Sequence, residues 1–201
     1  MPRARLTNLL IVLNVIVYAA WNYFPAAEDF LSAHFLVSWQ SLTEGRIWTL
    51  LGSVFSHISF LHLLFNMVAL KSFGSAMEIT LGRMRYLSFY LIAGIIASLS
   101  HSLVSAFLLG EPALPALGAS GSIAGIIVVF ALLYPKEKIL IFGIIPIPAI
   151  FGAVLLVALD LWGLFEQSRG GGLPIGHGAH LGGAFTGLVY YFGYLRKRRR
   201  V

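Results

Sequence analysis

The sequence predicts an all-α membrane protein, a six-transmembrane-helix bundle with both termini cytoplasmic, and three observations carry that prediction. Hydrophobic residues make up 58% of the 201 positions and charged residues only 11%, against about 25% charged in an ordinary soluble domain. With a mean hydropathy of +0.86, the chain has too little polar surface to cover itself in water. Second, six apolar stretches recur, at about 8–24, 48–73, 86–109, 119–134, 148–165 and 178–194, on the scale of the ~20 residues that cross a bilayer. Third, the basic residues segregate. With the N-terminus inside, Arg3, Arg5, Lys71, Arg83, Arg85, Lys136, Lys138 and the run Arg196, Lys197, Arg198, Arg199, Arg200 fall on the inner side, and only Arg46 and Arg169 fall outside. That asymmetry is the one cytoplasmic loops show.

The elements follow in order. The first stretch is read as a retained helix, leading into a first external loop at about 25–47. The rival reading, a signal peptide cleaved after Pro25-Ala26-Ala27, leaves the other five helices unchanged. The apolar stretch 139–147 is interrupted by Pro146 and flanked by Pro148; proline breaks the helical ladder, so it reads as an interfacial connector into the fifth helix. No repeat or linker divides residues 1–201, which read as a single domain with a basic cytoplasmic tail at 196–201. This composition excludes a soluble enzyme and a disordered linker, and the absence of cysteine excludes a disulfide scaffold. The net charge of +6 does not indicate nucleic acid, because five bases sit in one terminal run after an apolar segment, where they anchor at anionic headgroups.

Polar side chains inside a membrane are costly and mark function. In the second segment His62 and Asn66 lie four apart and share a helix face; His57, about 140° away, is expected nearer the surface. Such a pair can cap a neighbouring helix, bind a metal or donate to an oxyanion, although Asn is a poor metal ligand. The fourth segment opens Gly118-Ala119-Ser120-Gly121. Its 119–134 span would be about 24 Å long, short of a ~30 Å hydrocarbon core, so Ser120 is expected at a sunken helix N-terminus. Unpaired amides and the helix dipole there favour an oxyanion; the plainer role is an N-cap. The sixth segment carries His177, Ala179, His180, Gly183 and Gly187. Ala179, Gly183 and Gly187 recur every four residues, and Gly121 and Gly125 match them, so the two backbones can approach closely and bring His180 to Ser120. His177 is expected closer to water. No carboxylate is placed behind His180 by spacing; Asp160 on the fifth segment reads as a structural or gating group, leaving a Ser–His dyad, and Glu78 as an interfacial ion-pairing group beside Arg83 and Arg85.

These motifs together resemble the rhomboid intramembrane serine proteases over about residues 46–187: His57, His62 and Asn66; Gly74, Glu78 and Gly82; Gly118, Ser120 and Gly121; Ala179, His180, Gly183 and Gly187. The resemblance implies Ser120 as nucleophile and His180 as base, with His62, Asn66 and the Ser120 N–H forming an oxyanion hole. It implies supporting roles for Gly118, Gly121, Gly183 and Gly187, and no cofactor or metal. It also implies substrates that are single-pass or other transmembrane proteins, cut at the outer side after a small residue. Trp39 would belong to the external loop, and Phe65 and the fifth helix would border the path of substrate entry. Two departures stand out. The order Arg46-Ile47-Trp48 replaces the Trp-Arg common in bacterial members, and Ala124 stands where an aromatic often stacks on the histidine.

Two rival classes are a client-binding pseudoprotease, which typically lacks the serine or histidine, and a transporter, which predicts internal repeats. Beyond substrate, the expected partner is the lipid bilayer, and nucleic acid is not. The lack of a transit peptide or of large soluble extensions leads to the expectation of a prokaryotic plasma (inner) membrane.

Overall fold

A computed structural model describes residues 4–141 and 144–196; residues 1–3 with Arg3, the connector tip at 142–143 and the tail from Lys197 to Val201 lie outside the described residues. The fold is 75% helical. Helix α1 (Arg5–Tyr23) begins against a side chain from another helix. Glu78, expected in an ion pair, is 3% exposed. Its carboxylate accepts the Leu6 N–H at 3.0 Å, the Thr7 N–H at 2.8 Å and the Thr7 hydroxyl at 2.8 Å. Glu78 therefore caps first-turn amides that have no partner within their own helix and sets a negative charge at the positive end of the dipole; Arg83 remains 3.8 Å away. Farther along, the Trp21 indole donates to the Ser56 hydroxyl at 2.7 Å.

The loop after α1 folds into two short helices, α2 (Glu28–Phe35) and α3 (Trp39–Thr43). Ser38 and Ser41 close a capping box at the start of α3, and Trp39 packs edge-on against Phe107, ring centroids 5.0 Å apart. Arg46 pairs with Glu44; that guanidinium, and then the Gln40 amide, hold the Glu44 carboxyl below the usual carboxylate range.

The stretch at 48–73 does not form one span. Helix α4 (Thr49–Gly52) and a 3-10 turn (Ser53–Phe55) lead into non-helical residues, and α5 (Phe60–Ala69) begins only after Ser59. Ser53, Ser56 and Ser59 punctuate this break, and serine hydroxyls compete with the helical ladder. Through a π-helical turn at Leu70–Gly74, α5 runs on into α6 (Ser75–Leu81), which stops where Gly82 takes φ +80°. Helix α7 (Arg83–Phe107) follows, then α8 (Ser120–Leu133).

The expected interfacial connector is an antiparallel hairpin of β1 (Lys138–Ile141) and β2 (Ile145–Pro148), with Leu140 opposite Pro146. The prolines forbid a helix, but a two-stranded edge tolerates them where no N–H is required. Helices α9 (Ala149–Ser168) and α10 (His177–Tyr190) complete the order, with a π-helical turn at Tyr191–Leu195.

Four helical segments among the described residues are long and apolar enough to cross a membrane: Arg5–Tyr23, Phe60–Leu81, Arg83–Phe107 and Ala149–Ser168. Helices α8 and α10, at 14 residues each, lie at the centre, against each other and against α7. Leu70, Met77, Tyr86 and Tyr90 form one core cluster with Ile126 and Val129 of α8, all fully buried. The α8–α10 contact is backbone on backbone. A Cβ on Gly183 would fall on the Gly121 carbonyl; one on Gly125 would meet the Gly183 oxygen at 2.8 Å, and one on Gly187 the Gly125 oxygen at 2.6 Å.

Gly183→Leu is expected to wedge α8 from α10 and abolish the cooperative thermal transition in detergent. Gly193→Leu, whose Cβ would have nothing within 4 Å, should melt with the wild type. Glu78→Ala is expected to cost about 1–3 kcal/mol, the scale for buried donors left unpaired, read by reversible denaturation in mixed micelles.

Candidate active site

Ser120 is the first residue of α8, and the turn before it is fixed from several directions. The Gly118 N–H donates to the Ser53 carbonyl at 2.8 Å, and Val37 and Ala116 exchange backbone hydrogen bonds of 3.0 and 2.7 Å. The His101 Nε2–H reaches the Leu114 carbonyl at 3.2 Å. Gly118 sits at φ +121°, and a Cβ there would meet the His62 ring at 2.7 Å, so glycine is required both by the backbone and by the approach of His62.

The N-cap of α8 is Ala119, with no side-chain cap. The Ser120 hydroxyl is therefore free of the capping role and lies 2.9 Å from His180 Nε2. Sequence reasoning left His180 without an orienting partner; the structure supplies one. His180 Nδ1 is 2.9 Å from Asp160 Oδ1, and His177 Nδ1 is 2.7 Å from the same oxygen. A carboxylate oxygen only accepts, so both rings carry their proton on Nδ1. The lone pair of His180 Nε2 then faces the Ser120 hydroxyl. Ala124, standing where an aromatic often stacks, is buried, and it is Asp160 that holds the His180 ring.

Two expectations about histidines are corrected here. His177 is not close to water: it is 6% exposed. His57 is not near the surface: it is fully buried beneath the Ser120 turn, its Nε2 3.5 Å from the Ala119 nitrogen and its ring centroid 4.9 Å from that of His62. The break in the helix before Phe60 is what folds His57 inward. A signal for Asp160 was present in the sequence: Asp160 and Gly163 on α9 are spaced i, i+3, as are His177 and His180 on α10, and each pair presents one face.

His62, Asn66, Gly118, Ser120, Gly121 and His180 line one cavity of about 770 Å³. One Asn66 amide hydrogen goes to the His62 carbonyl at 2.8 Å, which leaves the other. The first-turn amides of α8 have no carbonyl of their own helix to bond. Ser120, His180 and Asp160 thus form one hydrogen-bonded chain of hydroxyl, imidazole and carboxylate, an order that acyl-transfer sites use, beside N–H groups without a partner in their own helix. Asp160, His177 and His180 are also a possible set of metal ligands, with ligand atoms within 4.8 Å of one another. The two ring–carboxylate distances are hydrogen-bond lengths, and the protons that make those bonds occupy the positions a cation would need.

A Rhomboid domain is matched over residues 44–197, and the chain belongs to the rhomboid family. It is 37% identical to presenilin-associated rhomboid-like protein A, mitochondrial, of Danio rerio, over 92% of this chain and 46% of that protein. It is 33% identical to Rhomboid protein 1, mitochondrial, of Saccharomyces cerevisiae (92% and 52%) and 29% identical to RHOMBOID-like protein 12, mitochondrial, of Arabidopsis thaliana (90% and 55%). The chain spans about half the length of these curated relatives. All three relatives are named as mitochondrial, which overturns the expectation of a prokaryotic plasma membrane. Compactness misled because a stretch matching half of a longer protein carries no information about the other half.

Asp160→Ala is expected to slow modification of Ser120 by a fluorophosphonate by roughly 10²-fold or more, the lower range for general acid–base assistance. Intact-mass time courses on detergent-purified protein measure it.

Proposed function

We propose that the chain is an intramembrane serine endopeptidase that hydrolyses peptide bonds in or near transmembrane segments of other membrane proteins, in a mitochondrial membrane. The observation that carries this reading is the 2.9 Å approach of the Ser120 hydroxyl to His180 Nε2, with Asp160 on the far side of the ring. In the same reading residues 1–201 are one domain of six spans, α1, α5 with α6, α7, α8, α9 and α10, with both ends on the Lys/Arg-rich side.

As the Ser120 oxygen attacks the scissile carbonyl carbon, its proton passes to His180 Nε2. The Asp160 carboxylate stabilises the imidazolium that forms. The carbonyl oxygen becomes an oxyanion among the Ser120 N–H, the free Asn66 amide hydrogen and His62. His180 then gives its proton to the leaving amine and the C–N bond breaks, leaving an acyl ester on Ser120. Water, deprotonated by the same ring, resolves the ester and restores the serine. The substrate enters beside Phe65, which is 66% exposed, and the outward apolar face of α9. A metal plays no part.

Ser120→Ala and His180→Ala are each expected to abolish both fluorophosphonate labelling and cleavage of a transmembrane substrate in proteoliposomes, with the melting transition kept. His62→Ala and Asn66→Ala should each lower the cleavage rate by roughly 10²–10³-fold, the scale for one oxyanion donor. Cleavage by the Ser120→Ala protein at the wild-type rate would sink the assignment.

A further inference from the structure

The mechanism uses His180 and Asp160 but leaves His177 without a task, although it makes the shortest contact in the cluster. His177 Nδ1 lies 2.7 Å from Asp160 Oδ1, inside the 2.9 Å separation of Asp160 and His180. His177 and Asp160 are 6% and 5% exposed. The other edge of the His177 ring lies against Gly163, where any Cβ would collide with Nε2 and Cε1. His177 Nε2 is buried with no hydrogen-bond partner. A buried acceptor left unpaired costs on the order of 1–3 kcal/mol, a cost that a hydrocarbon side chain of similar size would not carry. What the imidazole gains in exchange is the bond to Asp160.

The arrangement has a geometric consequence. Asp160 stands on α9, of which only Ala149, Ala153 and Asp160 itself are buried, so little else near the carboxylate fixes its rotamer. An aspartate has two side-chain torsions, and a single bond to His180 leaves it free to pivot about that contact. A second N–H on the same oxygen, from a residue one helical turn before His180, removes the pivot. It also neutralises part of the carboxylate's charge with a dipole that does not itself need to be protonated.

We propose that His177 is a positioning residue for the reaction: its Nδ1–H locks Asp160 so that the second lone pair of Oδ1 stays aimed at His180. This rests on the reading of Ser120 and His180 as the reacting pair. Gly163 belongs to the same device, as the position on α9 that gives the His177 ring its place.

The test is the rate of fluorophosphonate labelling of Ser120 in the full chain for the wild type, His177→Ala, His177→Asn, Asp160→Ala and the double variant His177→Ala/Asp160→Ala, with melting temperatures alongside. His177→Ala should slow labelling by roughly tenfold to a hundredfold, the rate equivalent of one hydrogen bond to a charged group. His177→Asn, which puts an amide N–H near the position of Nδ1 and cannot take up a proton, should recover most of that loss. In the Asp160→Ala background, which removes the acceptor, eliminating His177 should have no further effect, since the residue acts only through the carboxylate.

Labelling of His177→Ala at the wild-type rate would overturn the proposal. So would equal slowing by Ala and Asn, or slowing that persists undiminished without the Asp160 carboxylate. Each of those results leaves the serine–histidine reading intact as long as the wild type labels. A folded wild type that never labels removes that reading and this inference with it.

Discussion

Helices surrounded by hydrocarbon gain nothing by hiding leucines from lipid, so what joins them is close packing and hydrogen bonds. In this chain the packing is concentrated where Gly121, Gly125, Gly183 and Gly187 let α8 and α10 touch through their backbones. No residue with a side chain fits at Gly183 without parting the two helices at this contact. The 2.9 Å Ser120–His180 separation follows from it, because each residue sits at the same end of its helix beside the shared seam.

Much of this was legible in the sequence because it is local or periodic. The apolar stretches, the segregation of Lys and Arg, and the four-residue glycine spacing are patterns along one segment. The Rhomboid domain match over residues 44–197 agrees with the family resemblance read over about residues 46–187. What was not legible depends on how distant segments meet. His57 looked peripheral because a continuous helix from residue 48 would have turned it away, and nothing in the apolar run announced the break at Ser56–Ser59. Asp160 and His177 come together across two helices and a loop, and the i, i+3 spacing in each helix acquires meaning only once the helices face each other. Glu78 was read against Arg83 and Arg85, its neighbours in sequence; the Arg83 ion pair is there at 3.8 Å, but the closer partners are the first-turn amides of α1, some seventy residues earlier.

The buried polar groups divide into two kinds. Glu78 and Ser38 satisfy helix ends, and similar serines satisfy backbone carbonyls: Ser122 donates to the Tyr90 carbonyl at 2.8 Å and Ser102 to that of Ser98 at 3.0 Å. These hold the frame. Around the cavity the balance differs, with capacity deliberately left over: one Asn66 amide hydrogen, the first-turn amides of α8, the His180 Nε2 lone pair. Spare donors and a ring nitrogen facing a hydroxyl thus gather around one cavity, whereas most buried polar groups of a protein are paired.

The thin attachment of α9 sets how the surroundings reach the chemistry. Its outward face, with Phe151, Val154, Leu159, Trp162 and Phe165 all more than half exposed, is at home in lipid and pulls in no particular direction. The Asp160 bonds to His177 and His180 are the polar tie holding its middle to the bundle. Hydrogen bonds of that kind strengthen as water is withdrawn and weaken when water can compete for the carboxylate. The surrounding medium thereby becomes a variable of the site. A thick, dry bilayer tightens the same knot that orients His180, and a loosely packed or well-hydrated detergent belt slackens it.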